Sequence, residues 1–151
     1  MSKPAFFITT PIYYPSANLH IGHAYCSTIA DTIARYKRAN GFDVRFVTGS
    51  DEHGLKIQRK AEENGMTPLQ YVDGIVANFK KLWEMLGISY TDFVRSSSAE
   101  HERDVQEILQ RVYDKGDIYK KKYVGKYCVP CESFWTDRQI EEAGGVCPDL
   151  S

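Results

Sequence analysis

Two histidines, at positions i and i+3 and flanking a glycine, lie near the start of the chain. His20, Gly22 and His23 follow Asn18, a residue type that often caps a helix N-terminus. The first turn of a helix has free N–H groups and the positive end of the helix dipole, and both favour anions. The imidazoles would share one face, and Gly22 would let a ring or a phosphate approach the backbone. The pattern predicts a phosphate-binding helix start, and the alternative is two polar histidines without a ligand.

A carboxylate follows the second apolar run of the chain. Residues 42–48 have the β-branched and aromatic character of a buried strand, and Gly-Ser-Asp-Glu-His-Gly follows at 49–54. Asp51 in this segment would place a fixed negative charge with two acceptor oxygens at the end of a strand. The alternative is that Asp51 caps the following helix, because Gly-Ser-Asp is also typical of a turn.

Three cysteines near the end of the sequence have a spacing typical of metal ligands. Cys128 and Cys131 form a C-x-x-C pair, and Cys147 follows after fifteen intervening residues. Structural zinc takes four thiolate or imidazole ligands from such turns. A second pair of the same spacing would place the fourth ligand three residues after Cys147, where the sequence has Leu150 instead. The fourth ligand would therefore be Asp149, water or a residue beyond this sequence. The alternative is three reduced, partly packed thiols.

Alternating strands and helices must position these side chains. Strand-like and helical patterns alternate with short loops, which predicts an α/β fold with right-handed crossovers and a mostly parallel sheet. The loops at 11–23 and 49–54 follow the first two strands, so we expect them at one rim of the sheet. The predicted strands cover 6–10, 42–48 and 92–95, and the predicted helices cover 19–40, 55–63, 67–86 and 97–115.

Two of the predicted helices have apolar residues every three or four positions. Such stripes favour helices that turn one side toward a core. The stripe of the third helix consists of Leu69, Val72, Val76, Phe79, Trp83 and Leu86, and that of the fourth of Val105, Ile108, Leu109 and Val112.

The composition is that of an ordinary globular protein. Of 151 residues, 42% are apolar and 26% are charged, and the net charge of −1 excludes a strongly basic nucleic-acid clamp. No run approaches the roughly 18 apolar residues of a membrane span, and the N-terminus has no signal-peptide core. Four cysteines without an export signal indicate a reducing compartment, so we expect a cytoplasmic location and no membrane partner.

Two segments resemble a known enzyme family. Residues 11–24, with the sequence Pro-Ile-Tyr-Tyr-Pro-Ser-Ala-Asn-Leu-His-Ile-Gly-His-Ala, resemble the first signature of class I aminoacyl-tRNA synthetases. Residues 49–56 resemble the segment that distinguishes methionyl-tRNA synthetases from leucyl, isoleucyl and valyl relatives. The resemblance implies that residues 1–116 form the first half of a Rossmann-like nucleotide-binding domain. It also implies that residues 117–151 begin a zinc-knuckle-like connective module and that the chain is an N-terminal piece.

The resemblance also implies a reaction. His20 and His23 would be catalytic and contact the phosphates of ATP, and Gly22 would face the adenine. Methionine and ATP, with Mg²⁺, would form methionyl-adenylate, and the methionyl group would then pass to the terminal ribose of a tRNA. Such chemistry depends on alignment and on charge stabilisation rather than on a side-chain nucleophile.

On the methionine side, the resemblance implies that Ile12 and Tyr14 line the pocket and that Asp51 binds the ammonium group. The segment at 115–126 is rich in lysine and tyrosine, and it would contact the tRNA acceptor end. The alternative for this basic cluster is a solvated surface.

Two features of the chain lead to expectations about the isolated protein. The sequence contains no Lys-Met-Ser-Lys-Ser loop, which closes over ATP in the family, so we expect little or no activity. We also expect self-association through uncovered apolar faces of the sheet.

Two other functions fit parts of the pattern: a small nucleotidyltransferase with the same histidine pair, and a non-enzymatic zinc-dependent binding module. Methionine binding that depends on Asp51 would distinguish the synthetase function from both of these alternatives.

Overall fold

The computed structural model describes residues 3–15 and 19–149. Strands and helices alternate in the order expected from the sequence, which confirms the α/β class. In these two ranges, no helix is both long and apolar enough to cross a membrane. The elements are β1 (Ala5–Thr9), α1 (Ile21–Ala39), β2 (Asp43–Ser50), α2 (Leu55–Glu63), α3 (Pro68–Met85), β3 (Asp92–Arg95), α4 (Ala99–Asp114), β4 (Lys126–Cys128), β5 (Ser133–Trp135) and α5 (Asp137–Glu142).

Three parallel strands form the main sheet in the order β1-β2-β3. Ile8 of β1 pairs with Phe46 of β2, and Thr48 of β2 pairs with Phe93 of β3. Strands β4 and β5 form a separate antiparallel hairpin in the cysteine-containing region. The parallel sheet and the short third strand are confirmed, whereas the division of the chain after residue 116 stays a prediction.

The hydrophobic core lies on one face of the sheet, where α1 and α3 cover β2. Val44 and Phe46 are buried on β2 whereas Asp43 and Arg45 are exposed, so Val44 and Phe46 point to this face. They belong to the same buried cluster as Phe79 and Trp83 of α3. Helix α3 begins after a capping box formed by Thr67 and Gln70, as predicted, and this box fixes the N-terminus of the helix.

Parts of the predicted apolar stripes lie at the surface. In α3, Leu69 and Leu86 are 53% and 45% exposed because they stand at the two ends of the stripe. In α4, Val105, Ile108 and Leu109 are 38%, 60% and 51% exposed, and the helix has no buried residue. The predicted inward face of α4 is therefore wrong, because the pattern reports amphipathic character and no described element buries the stripe.

The loops after β1 and β2 lie side by side, as expected. Tyr13 pairs in parallel with Ser50, the last residue of β2. The N–H of Tyr13 donates to the carbonyl of Gly49 at 2.9 Å, and the N–H of Asp51 donates to the carbonyl of Tyr13 at 3.0 Å. The Tyr13 ring is buried, and its hydroxyl lies 2.8 Å from the hydroxyl of Ser27 in α1. Tyr13 therefore joins both loops to the first helix.

A buried ion pair fixes the loop after β2 to β3. The Glu52 carboxylate is buried and accepts hydrogen bonds from Arg95 at 2.7 and 3.0 Å. The hydroxyls of Ser50 and Ser97 donate to the same carboxylate. Burial alone raises the pKa of Glu52, but these donors outweigh burial and bring the pKa below its ordinary value. Glu52 is therefore a structural residue.

The substitution Glu52→Gln should lower the free energy of unfolding by about 2–3 kcal/mol at pH 7, because Arg95 loses its buried charge partner. The pKa of Glu52 is lower in the folded state, so its stabilisation is present above about pH 4.5 and is lost as the pH falls through the folded pKa. Urea titrations of parent and variant should therefore differ most near neutrality and converge in acid.

A matched control is Glu63→Gln, which removes an exposed carboxylate paired with Lys60 on α2. Exposed pairs contribute little, so the control should cost less than about 0.5 kcal/mol. A stability difference for Glu52→Gln that does not narrow in acid would contradict the assignment of a stabilising carboxylate.

Candidate active site

Helix α1 begins later than the sequence predicted. Its N-cap is His20, and Asn18, the predicted cap, lies outside the described residues. The Nδ1 atom of His20 accepts the N–H of Gly22 at 3.1 Å, and the Nδ1 atom of His23 accepts the N–H of His20 at 3.1 Å. The two rings lie 3.9 Å apart. A Cβ atom at Gly22 would lie 2.9 Å from the His20 ring, so a larger residue at this position would displace that ring from the cap.

The same hydrogen bonds fix the electrostatics of the helix start. A neutral imidazole whose Nδ1 accepts a hydrogen bond carries its proton on Nε2, so His20 and His23 each have one N–H donor left. Partial burial, and then the repulsion that a protonated His20 would exert, lower the pKa of His23 below its ordinary value of 6.5. His23 is therefore neutral at pH 7. Two N–H donors at a helix N-terminus are suited to bind an anion.

Tyr13 connects the paired histidines to the carboxylate of the second loop. The Tyr13 ring meets the His23 ring edge-on, with 5.1 Å between the centroids, and its backbone carbonyl accepts the N–H of Asp51. Asp51 is half-buried, and within the described ranges its carboxylate accepts no hydrogen bond. The neighbouring Glu52 is fully paired, so Asp51 is the carboxylate that remains available to a ligand. Tyr13 is not among the site residues predicted from the sequence.

The two residues beside Tyr13 were predicted to line a pocket. Ile12 is 48% exposed, which leaves its side chain open to contacts. Tyr14 is half-buried, and its hydroxyl donates to Oε1 of Glu132 at 2.8 Å. Burial and then the Glu132 carboxylate raise the pKa of Tyr14, and the charge of Asp51 acts in the same direction. Tyr14 and Asp51 therefore belong to one neighbourhood, with a protonated phenol.

Glu132 is a site neighbour that sequence reasoning did not identify. It follows the C-x-x-C pair in the chain and reaches the start of α2, where Gly54 is the N-cap. A Cβ atom at Gly54 would lie 2.3 Å from the Tyr14 hydroxyl and 2.7 Å from the Glu132 carboxylate. The loop after β1, the start of α2 and the cysteine-containing region therefore meet at one tightly packed point.

The three cysteines come together as the spacing predicted. The sulfur atoms of Cys128, Cys131 and Cys147 lie within 4.8 Å of one another, and Cys131 is 3.1 Å from each of the other two. Hydrogen bonds with the neighbouring thiols raise the pKa of Cys131 to about 12, so this arrangement disfavours thiolates unless a cation offsets their charge. Three sulfur donors fit zinc. Leu150, at the expected fourth position, lies outside the described residues.

Comparison with known proteins identifies close sequence relatives. Residues 6–151 match the family model of tRNA synthetases class I (M). The methionine–tRNA ligase of Caldanaerobacter subterraneus subsp. tengcongensis is 57% identical over 147 residues, which cover 97% of this chain and 23% of the relative. That of Bacillus subtilis is 49% identical over 153 residues, which cover 95% of this chain and 23% of the relative. The chain spans about a quarter of the length of these curated relatives.

Solved structures give the same result for the fold. A Mycobacterium tuberculosis methionyl-tRNA synthetase in complex with methionyl-adenylate matches with a TM-score of 0.85 and 39% identity, covering 91% of this chain and 27% of that one. The agnB2 LeuRS of Agrobacterium radiobacter K84, in a ternary complex with tRNA and LeuAMS, matches in fold with a TM-score of 0.77 at 24% identity over 93% of this chain and 18% of that one. Since the family model covers nearly every residue, the chain belongs to the methionine-type class I tRNA synthetase family.

Proposed function

We propose that this chain supplies the ATP- and methionine-binding part of a methionine–tRNA ligase. The observation that carries the proposal is that Tyr13 contacts His23 through its ring and the backbone of Asp51 through its carbonyl, so the helix start and the acidic loop lie at one rim of the sheet. An anion-binding helix start beside an available carboxylate suits a ligand with a phosphate and an ammonium group. Methionyl-adenylate has both groups, and the Mycobacterium tuberculosis neighbour was solved with it.

In the proposed reaction, a carboxylate oxygen of methionine attacks the α-phosphorus of Mg-ATP. The bond from this phosphorus to the oxygen that bridges to the β-phosphate breaks, and pyrophosphate leaves. His20 and His23 would donate their Nε2 protons in hydrogen bonds to phosphate oxygens and offset the charge that develops there. Gly22 would leave room for the adenine. Asp51 would hold the ammonium group so that the methionine carboxylate faces the phosphorus.

The remaining parts of the proposal concern the methionine side chain, tRNA and the other two candidate functions. Ile12 and Tyr14 would line the methionine pocket, and the exposed basic cluster at 115–126 would contact the tRNA acceptor end. A small nucleotidyltransferase or a zinc-dependent binding module gives no role to an available carboxylate at Asp51. Self-association of the isolated chain stays a prediction, supported by Phe7, which is 66% exposed on β1.

The cysteine cluster would hold zinc as a structural ion. Cys128, Cys131 and Cys147 would be its protein ligands, because their sulfur atoms already lie together. Bound zinc stabilises thiolates and contributes folding free energy, and it would tie the β4–β5 hairpin to the segment after α5. No step of the proposed reaction depends on it.

The substitution Asp51→Asn should raise the KM for methionine by roughly 10- to 100-fold, because the ammonium group loses a charged acceptor. The KM for ATP should change by less than about threefold, since Asp51 would not contact the phosphates. The measurement is methionine-dependent ATP–pyrophosphate exchange in the full-length protein that contains this chain. Asp43→Asn, an exposed carboxylate at the other end of β2, is the matched control. Equal effects of both substitutions would contradict the role of Asp51.

The substitution His20→Asn should separate capping from phosphate binding. Asparagine is a favourable N-cap, so the free energy of unfolding should change by less than about 0.5 kcal/mol. The exchange rate should nevertheless fall by roughly 10- to 100-fold, because one donor to the phosphates is lost. His101→Asn, on α4, controls for the loss of an imidazole elsewhere. An unchanged exchange rate in His20→Asn would show that this histidine serves only as the cap.

Protein purified without chelator should contain about one zinc ion per chain by elemental analysis. Cys147→Ser should reduce this content severalfold, because one of three sulfur donors is lost. Cys26→Ser, which changes the isolated cysteine of α1, should leave the zinc content unchanged. Zinc well below one equivalent in the parent protein would favour three reduced thiols instead.

A further inference from the structure

Glu132 has an unusual backbone conformation beside the proposed methionine pocket. Its φ angle is 52°, and within residues 3–15 and 19–149 it is the only non-glycine residue with a positive φ. This left-handed conformation is unfavourable for a residue with a Cβ atom, and glycine would adopt it without strain. Such strain persists where the surrounding contacts hold the residue in place, so the contacts of the Glu132 side chain need an explanation.

The Glu132 carboxylate joins two segments that are distant in sequence. Its Oε1 atom accepts the hydroxyl proton of Tyr14 at 2.8 Å, across 118 positions of the chain. The same atom lies 3.5 Å from the backbone nitrogen of Lys56, which donates to it from the first turn of α2. The N-cap of α2 is Gly54, which has no side chain to accept these N–H groups. Glu132 therefore takes the place of a cap, where the helix dipole favours a negative charge.

The position of Glu132 is set by the cysteine cluster rather than by the pocket. Its N–H donates to the carbonyl of Val129 at 3.3 Å, which closes the turn around the C-x-x-C pair. The sulfur atom of the preceding residue, Cys131, lies 3.1 Å from the sulfur atoms of Cys128 and Cys147. The carboxylate therefore approaches Tyr14 from a turn anchored elsewhere.

We propose that Glu132 is a positioning residue for methionine recognition, which holds the Tyr14 ring against the start of α2 in the orientation that the pocket requires. The inference rests on the proposed function, because Tyr14 is the residue through which Glu132 would act. Glu132 itself need not touch the substrate. Its hydrogen bond removes the rotational freedom of the phenol before methionine arrives, so its loss should weaken methionine binding more than it slows the reaction.

The test uses the full-length protein that contains this chain and compares Glu132→Gly with Glu132→Gln. Glycine relieves the positive φ but removes the acceptor, whereas glutamine keeps an oxygen acceptor on the same side chain. We expect Glu132→Gly to raise the KM for methionine in ATP–pyrophosphate exchange by roughly five- to tenfold. Calorimetry should show the same weakening of the methionine Kd without ATP. Glu132→Gln should stay within about twofold of the parent on both measures.

Further readouts separate positioning from a general structural role. In Glu132→Gly, the KM for ATP, kcat and zinc content should be unchanged, and the relieved strain should keep Tm within about 3 °C of the parent. Tyr14→Phe should raise the KM for methionine, and adding Glu132→Gly to it should raise that KM little further, because both substitutions remove the hydrogen bond between Tyr14 and Glu132.

Two results would overturn the inference while leaving the proposed function intact. One is an unchanged methionine KM in Glu132→Gly together with a raised KM in Tyr14→Phe. The other is a parallel change of both KM values and Tm, which would assign Glu132 to folding alone. If Asp51→Asn and Tyr14→Phe both leave the methionine KM unchanged, the proposed function itself fails.

Discussion

The backbone pairing of Tyr13 with the end of β2 is the interaction on which the candidate site depends. Loops that follow parallel strands share a rim, but sharing a rim does not fix the distance between their side chains. The N–H of Tyr13 donates to Gly49 and the carbonyl of Tyr13 accepts from Asp51, and these two hydrogen bonds continue the strand pairing into the loops. The buried Tyr13 ring then meets His23 at the start of α1, so the acidic loop and the helix start are held together by one residue.

Some polar groups at the site make structural contacts, and others remain open to a ligand. Glu52 and Asp51 are adjacent carboxylates, yet Glu52 is saturated by Arg95 and serine hydroxyls while Asp51 stays available. The imidazoles of His20 and His23 accept hydrogen bonds at Nδ1 in the helix cap, and their Nε2 atoms remain open to a ligand. Glu52 and the Nδ1 atoms fix the geometry of the site, and Asp51 and the Nε2 atoms can contact a ligand without reorganisation. Electrostatic catalysis requires such an arrangement.

Much of the fold could be predicted from local sequence signals, because glycines, prolines and capping residues mark the ends of most elements. The helix start could not, since Asn18 is the favoured cap type and the capping box at His20 depends on a second imidazole one turn later. The contact between Glu132 and Tyr14 joins residues 118 positions apart, which no local pattern reports. The apolar stripe of α4 predicted amphipathic character correctly, but a stripe does not say what covers it.

The most direct measurement is a crystal structure of the full-length protein containing this chain, bound to a non-hydrolysable methionyl-adenylate analogue. The proposed function predicts that the ammonium group lies about 3 Å from the Asp51 carboxylate, within hydrogen-bond distance. It also predicts that an Nε2 atom of His20 or His23 faces the phosphate or the oxygens that replace it. An analogue whose ammonium group binds elsewhere, with Asp51 turned away from it, would contradict the assignment of this rim as the amino-acid activation site.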